Sequence, residues 1–312
     1  MKRAEFHASE HPAGERAPQE ERLDRHLVRL GFAPSRRAAR EMVARGIVTI
    51  NGRRCRKGQL VAATDQVAVT EEFRPPAIES NPRLALDVLY EDPNLLVINK
   101  PGLLPCHPLK PGERDTVMNA VVARYPETAD AGDKPREGGL VHRLDNGTSG
   151  ALIIARNRET FDTMRRAIKA HAIVRHYDAL VEGVVDRTLE LTAPIAHHPR
   201  NARKMTAVVA GALSGRRAGR RAITHVEPAR RVGRYTLVSV TPETGSRHQI
   251  RVHLANAGHP IVGDSLYSGP RDERLDAGRF WLHLREVAFE SSRAGRITVR
   301  APLPPDLSDC LH

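Results

Sequence analysis

The sequence predicts two folded parts: a small α/β domain near the N-terminus and a larger α+β domain built around a mixed or largely antiparallel sheet. Three observations carry this. The chain has 312 residues, room for one domain of about 200 residues and a smaller one. Hydrophobic residues make up 40% and charged residues 28%, the balance of a chain that buries a core. Pro75, Pro76 and Pro82 crowd a stretch without apolar periodicity, which marks a linker over 73–84. The division is then a flexible tail over 1–20, a small domain over 21–72, the linker, and a large domain over 85–312.

The small domain has recognisable elements. Leu23-Asp-Arg-His-Leu-Val-Arg-Leu30 is helical in pattern. Ser35 is a good N-cap and Gly46 a good C′ residue, so a second helix runs between them. At 100° per residue Ala38, Ala39, Met42 and Val43 share one face, and Arg36, Arg37 and Arg40 the opposite one. Ile47-Val-Thr-Ile-Asn-Gly52 then reads as a strand entering a tight Asn-Gly turn.

Charge points to the partner. Lys and Arg number 49 against 37 Asp and Glu, a formal net charge of +12 that favours a polyanion. Residues 22–60 hold eleven Lys or Arg against Asp24 and Glu41, and 200–234 hold ten against Glu227. The Gly215–Arg221 part of the second cluster reads as an exposed loop suited to an RNA backbone. A membrane partner is not expected, because the chain offers neither an apolar run of about 18 residues nor an amphipathic basic helix with bulky apolar anchors. The charged tail has no signal-peptide core. Cys55, Cys106 and Cys310 are far apart and odd in number, which predicts a reducing cytoplasm without disulfides or structural zinc.

In the large domain, 95–99, 151–155, 177–181 and 235–240 read as strands, and 116–124 and 158–171 as helices. Between two elements lies Gly138-Gly-Leu-Val-His-Arg-Leu-Asp145-Asn-Gly-Thr-Ser-Gly150, whose glycines and hydroxyls suit a loop exposing a side chain beside backbone amides. His248, His253 and His259 lie close together, but no His-Glu-x-x-His or Cys-x-x-Cys accompanies them, so no metal is predicted.

The run His142-Arg-Leu-Asp-Asn-Gly-Thr-Ser-Gly150 resembles the signature of the RluA-type pseudouridine synthases. The resemblance extends over about Leu86 to Leu307. It implies a pseudouridine synthase catalytic domain with Asp145 as the essential carboxylate. Arg175-His-Tyr177-Asp-Ala-Leu-Val-Glu-Gly183 is similar to the family segment carrying an active-site tyrosine, which implies that role for Tyr177. His248-Gln-Ile-Arg251 is similar to a third motif, whose arginine pairs with the carboxylate and falls on Arg251. Lesser echoes include Asn99-Lys100-Pro101-Gly102. The family usually has Gly-Arg-Thr or Gly-Arg-Ser before the third motif, whereas this chain has Gly245-Ser246-Arg247, so no RNA contact is carried over to Ser246 or Arg247. From about Glu21 to Thr70 the chain resembles the RNA-binding domain named after ribosomal protein S-four, which implies an RNA-binding domain there.

Together these imply an isomerase that converts uridine to pseudouridine in structured RNA, with large-subunit ribosomal RNA the first expectation and transfer RNA the second. The expected RNA contacts are Arg36, Arg37, Arg40 and Arg143. Isomerisation needs no redox step and no metal, so no cofactor is expected, and the chain is expected to act as a monomer. An ionised Asp145 needs an opposing charge inside its pocket, which Arg251 would supply. Two other readings use the same residues less fully: a noncatalytic RNA-binding or assembly factor, which leaves the motifs unexplained, and a glycosylase, which would release free uracil.

Overall fold

A computed structural model describes residues 20–33, 35–71, 78–208, 219–291 and 294–312. Residues 1–19 of the predicted tail, 73–77 of the predicted linker and 215–218 of the predicted basic loop lie outside them. Contacts divide the chain into two units, Met1–Pro76 and Ala77–His312.

In the first unit, β1 (Glu20–Arg22) pairs antiparallel with β4 (Leu60–Ala62), and a three-stranded sheet has the order β3 (Arg53–Arg54), β2 (Val48–Ile50), β5 (Val67–Val69). Glu20, read as tail, is the first strand residue and pairs with Ala62. Helices α1 (Leu23–Arg29) and α2 (Arg36–Arg45) pack on each other through Leu23, Leu27, Ala38, Ala39 and Met42, all buried. The predicted caps form: Ser35 Oγ accepts from Ala38 N at 3.2 Å, and Gly46 takes φ 75°, a left-handed conformation that glycine adopts at little cost.

The second unit is a nine-stranded mixed sheet. Its elements in chain order are β6 (Val88–Glu91), β7 (Leu95–Lys100), α3 (Val117–Arg124), β8 (Ser149–Ala155), α4 (Arg158–Lys169), β9 (Val174–Glu182), β10 (Leu189–Leu191), β11 (Ile195–His197), β12 (Met205–Ala207), β13 (Thr224–Val232), β14 (Tyr235–Pro242), α5 (Gln249–Asn256), β15 (Leu282–Ser291), β16 (Gly295–Arg300) and α6 (Pro305–Ser308). The sheet order is β10-β13-β14-β9-β15-β8-β7-β6, with β16 on β15 and a separate β11-β12 pair. Among the described residues only the β15–β8 pairing is parallel, His283 opposite Ser149 and Leu284 opposite Gly150. Gly150 has φ 120°, and a Cβ there would stand 2.2 Å from the Leu284 carbonyl oxygen, so glycine alone permits this approach. β7 and β8 are buried almost throughout and read as continuous apolar runs.

The linker reading needs one correction. Ile78 is buried in the core of the second unit, Asn81 N donates to Asn119 O at 2.9 Å, and Asn81 Nδ2 donates to Arg114 O at 3.0 Å. Residues 78–84 therefore belong partly to the second unit. One isoleucine beside prolines has no periodicity, yet it fills a place in a core.

Candidate active site

The loop from Val141 to Thr148 enters β8 and carries Asp145. Its backbone is held by side chains from three other segments. Cys106 Sγ accepts from Leu144 N at 3.4 Å and donates to Leu144 O at 3.3 Å. Lys100, at the end of β7 and fully buried, donates to the carbonyls of Pro101 at 2.8 Å, Asn146 at 3.2 Å and Thr148 at 2.7 Å. Arg279 donates to Gly147 O, to Phe280 O at 2.9 Å and to Ser149 Oγ at 2.9 Å, and its Nε meets Asp306 at 2.6 Å. Burial pushes the Lys100 pKa down to about 8. Against that, three carbonyl acceptors match the three donors of its ammonium group. His142 anchors the loop start, its Nε2 accepting from Ile153 N at 3.2 Å. Burial, with the charges of Arg175 and Arg165, pushes its pKa down to about 3, so it is a neutral acceptor and no acid–base group.

Asp145 stands on this platform in a cleft that Arg143, Tyr177, His248, Ile250 and Arg251 also line. Its side chain is 26% exposed. Oδ2 accepts from Arg251 Nη1 at 2.8 Å, while Oδ1 lies 3.8 Å from His248 Nε2 and makes no hydrogen bond among the described residues. The free oxygen thus faces the cleft.

Arg251 comes from the first turn of α5. Gln249 fixes that turn: its amide donates to Ile223 O at 2.9 Å and Thr224 Oγ1 at 3.0 Å, and its oxygen accepts from Thr244 Oγ1 at 2.8 Å and Ser246 N at 3.0 Å. The guanidinium donates to both oxygens of the buried Asp264, at 2.7 and 2.8 Å, in the fork geometry that suits a carboxylate. Its Cζ lies 4.2 Å from the Phe280 ring centre and 5.1 Å from that of Tyr267. Burial works against the Arg251 charge, but the hydrogen bonds and charges of Asp264 and Asp145 outweigh it and raise its pKa above the ordinary arginine value. A permanent cation therefore sits under the Asp145 carboxylate.

Tyr177 is on β9, 7% exposed, with its pKa raised chiefly by burial. The structure thus brings Asp145, Tyr177, Arg251 and Arg143 to one cleft. Arg143 is 54% exposed at its rim, with Nη1 3.4 Å from Glu137.

Arg36, Arg37 and Arg40 belong to the other unit and share the exposed face of α2. That face is not wholly free. Arg36 donates to Asp24 Oδ2 through Nε at 3.1 Å and Nη2 at 2.9 Å, and Arg40 Nε lies 3.9 Å from the same oxygen. Asp24 is buried and also bound by Arg22, so part of the arginine face fastens α2 to α1. Arg247 is tied as well, donating to the carbonyls of Ala202 at 3.3 Å and Arg203 at 3.2 Å. Sequence reasoning passed over Asp264, Cys106 and Arg279. The first lay in view, as the last residue of the stretch that begins His248-Gln-Ile-Arg251. The other two have no local signal, since Cys106 holds the loop backbone 38 residues on and Arg279 reaches Gly147 and Ser149 more than a hundred residues back. Among the described residues no group of His, Cys, Asp and Glu could hold a metal ion, and no described helix is long and apolar enough to cross a membrane.

An aspartate on a rigid loop, with a buried arginine beneath it and a tyrosine beside it in a cleft on a mixed sheet, defines an enzyme site rather than a passive RNA-binding surface. Comparison with known proteins gives the class. Residues 94–256 match the family described as RNA pseudouridylate synthase, and residues 21–67 match the S4 domain. The chain is 38% identical to an uncharacterized RNA pseudouridine synthase of Chloroflexus aurantiacus, over 94% of this chain and 89% of that protein. It is 30% identical to ribosomal large subunit pseudouridine synthase D of Escherichia coli O157:H7, over 94% and 90%. A solved structure of human RNA pseudouridylate synthase domain containing 1 superposes with a TM-score of 0.57 at 25% identity, covering 76% of this chain and 90% of that one. The chain belongs to the RNA pseudouridylate synthase family, of the RluA type, with an N-terminal S4 domain. It is therefore an isomerase acting on RNA.

Proposed function

We propose that Asp145 is the catalytic carboxylate, that Arg251 holds it ionised and oriented, that Tyr177 stacks on the uracil, and that the substrate uridine lies in large-subunit ribosomal RNA. The observation that carries the roles is the division of labour at Asp145: one oxygen bound to Arg251 at 2.8 Å, the other unbonded and facing the cleft. In the reaction the bond from N1 to the ribose breaks, the uracil turns while held, and C5 bonds to the sugar. The proton on C5 is then removed and N1 ends protonated, so product and substrate have the same atoms. A carboxylate with a free oxygen can stabilise or capture the sugar carbon and can serve as the base, while Tyr177 keeps the detached uracil in place. A stacked base must first be flipped into the cleft at a cost of about a few kcal/mol, offset by phosphate contacts and stacking. Arg143 at the rim and Arg36, Arg37 and Arg40 are assigned those contacts.

The choice of RNA rests on the relatives named as large-subunit ribosomal enzymes, at 30% identity. On this reading the enzyme works in the cytoplasm, as a monomer. Pseudouridine mapping across total RNA, from cells lacking the gene and from cells given it back, tests the choice. One or a few large-subunit uridines should lose and regain the modification. Loss confined to transfer RNA would overturn it.

A further inference from the structure

Alternation along β9 puts Arg175 and Tyr177 on the same face of the strand, and both line the cleft. Arg175 is 9% exposed. Its Nη2 reaches two backbone carbonyls, Thr244 at 3.2 Å and Pro242 at 3.5 Å. Its Nε is buried without a partner, and its Nη1 makes no hydrogen bond among the described residues. It has no carboxylate within ion-pair distance there either, unlike Arg251 and Arg279, the other buried arginines around this site. A buried cation without a counter-charge costs several kcal/mol, a cost normally removed by pairing.

The surroundings say what would pair with it. Asp145 and Asp264 share the one charge of Arg251, and Arg143 at the rim lies 3.4 Å from Glu137, so Arg175 is the cleft arginine without a carboxylate partner among the described residues. An RNA phosphate brought beside Tyr177 would supply the missing counter-charge. At Gly245 a Cβ would come into contact with Nη1, at 3.6 Å, so glycine keeps side-chain atoms off that nitrogen. A uracil carbonyl would accept a hydrogen bond but leave the charge unmet. A phosphodiester supplies both the acceptor and the charge, and arginine suits it geometrically.

We infer that Arg175 docks a backbone phosphate flanking the uridine that enters the cleft, and so positions that nucleotide for reaction. This rests on the Asp145 cleft being the place of conversion. The bland alternative is that Arg175 only braces the Thr244 turn.

The probe is an RNA oligonucleotide copied from the modified site, made with single methylphosphonate linkages on either side of the target uridine. For R175Q, the slope of log affinity against log salt should fall by about 0.7 to 0.9, and half-saturation in single-turnover assays should need about tenfold more enzyme. R175K keeps the charge and should keep the slope. One methylphosphonate should weaken binding to the wild-type enzyme about tenfold and weaken R175Q no further. Full additivity of the two changes, or a lowered melting temperature with an unchanged salt slope, would reduce Arg175 to a brace. If R175Q does not fold, R175K carries the test, with a penalty reduced at that one linkage and undiminished at the others; equal penalties at every linkage would overturn the assignment. An active D145N variant would instead remove the underlying reading of the cleft, whatever Arg175 does.

Discussion

The two units solve one electrostatic problem with opposite signs. In the first, the buried member is an acid: Asp24, 4% exposed, holds Arg22 and Arg36, whose side chains are 44% and 47% exposed. In the second, the buried member is a base: Arg251, 7% exposed, holds Asp264 and the partly exposed Asp145. Asp24 and Arg251 are each met by two or more opposite charges, which offsets the cost of burying them. What differs is the sign left at the surface. The first unit presents cations with donors to spare, suited to phosphate. The second presents a carboxylate with one free oxygen, suited to chemistry.

The comparison can be broken at its buried centres. Arg251→Met leaves Asp264 and Asp145 without their cation, and should destabilise the second unit by about 3 to 5 kcal/mol as well as abolish activity. Trp281 is the only tryptophan of the chain and is fully buried in that unit, so urea melts followed by its fluorescence report this unit alone. An unshifted midpoint would mean that the pair contributes nothing to the fold.

Acid should separate the units further. His142 and His283 are buried, chiefly burial pushing their pKa values down to about 3 and about 4. The unfolded chain takes up those protons near the ordinary histidine value, so their contribution is fully present above that value and is lost as pH falls towards the folded values. The loss should be about 1.4 kcal/mol per pH unit for each histidine below about pH 6.5. In the first unit burial works to raise the carboxyls of Glu21 and Asp24, but hydrogen bonds from Arg29 and His26 to Glu21, and from Arg22 and Arg36 to Asp24, outweigh it and lower both, which gives the same sign at lower pH. The Trp281 midpoint should therefore fall between pH 6.5 and 5, and His142→Gln should reduce that slope if the fold tolerates it.

The smallest effect belongs to the arginine face. Replacing Arg36, Arg37 and Arg40 by Gln should lower the salt slope of RNA binding by up to about two to three units. It should also cost the first unit roughly 1 to 2 kcal/mol, because Asp24 keeps only Arg22 and the lost partners were half exposed. An unchanged slope with that loss of stability would make the face a structural clamp alone.

Much of this was legible in the sequence for local reasons. Ser35 and Gly46 delimit α2, apolar runs give β7 and β8, and the His-Arg-Leu-Asp and His-Gln-Ile-Arg strings lead to Asp145 and Arg251. What escaped was non-local. Lys100 stands in the sequence only as part of a short echo, yet two of its three acceptors lie in the loop 46 and 48 residues on. Asp24 looked like one acid among many bases, and only the packing of α1 on α2 shows that it ties the arginine face down. Ile78 needed a core to belong to before it could be told from linker.

The central claim is that Asp145 does the chemistry while Asp264, on the same guanidinium, only holds Arg251 in place. Single-turnover pseudouridine formation by D145N and D264N, with melting temperatures measured alongside, tests it most directly. D145N should lose more than about a hundredfold in rate, roughly 2.7 kcal/mol of barrier, with little change in melting temperature. D264N should melt earlier yet keep more than about a tenth of the wild-type rate below its transition. A D145N enzyme that retains more than about a hundredth of the wild-type rate, with RNA binding intact, would contradict the account.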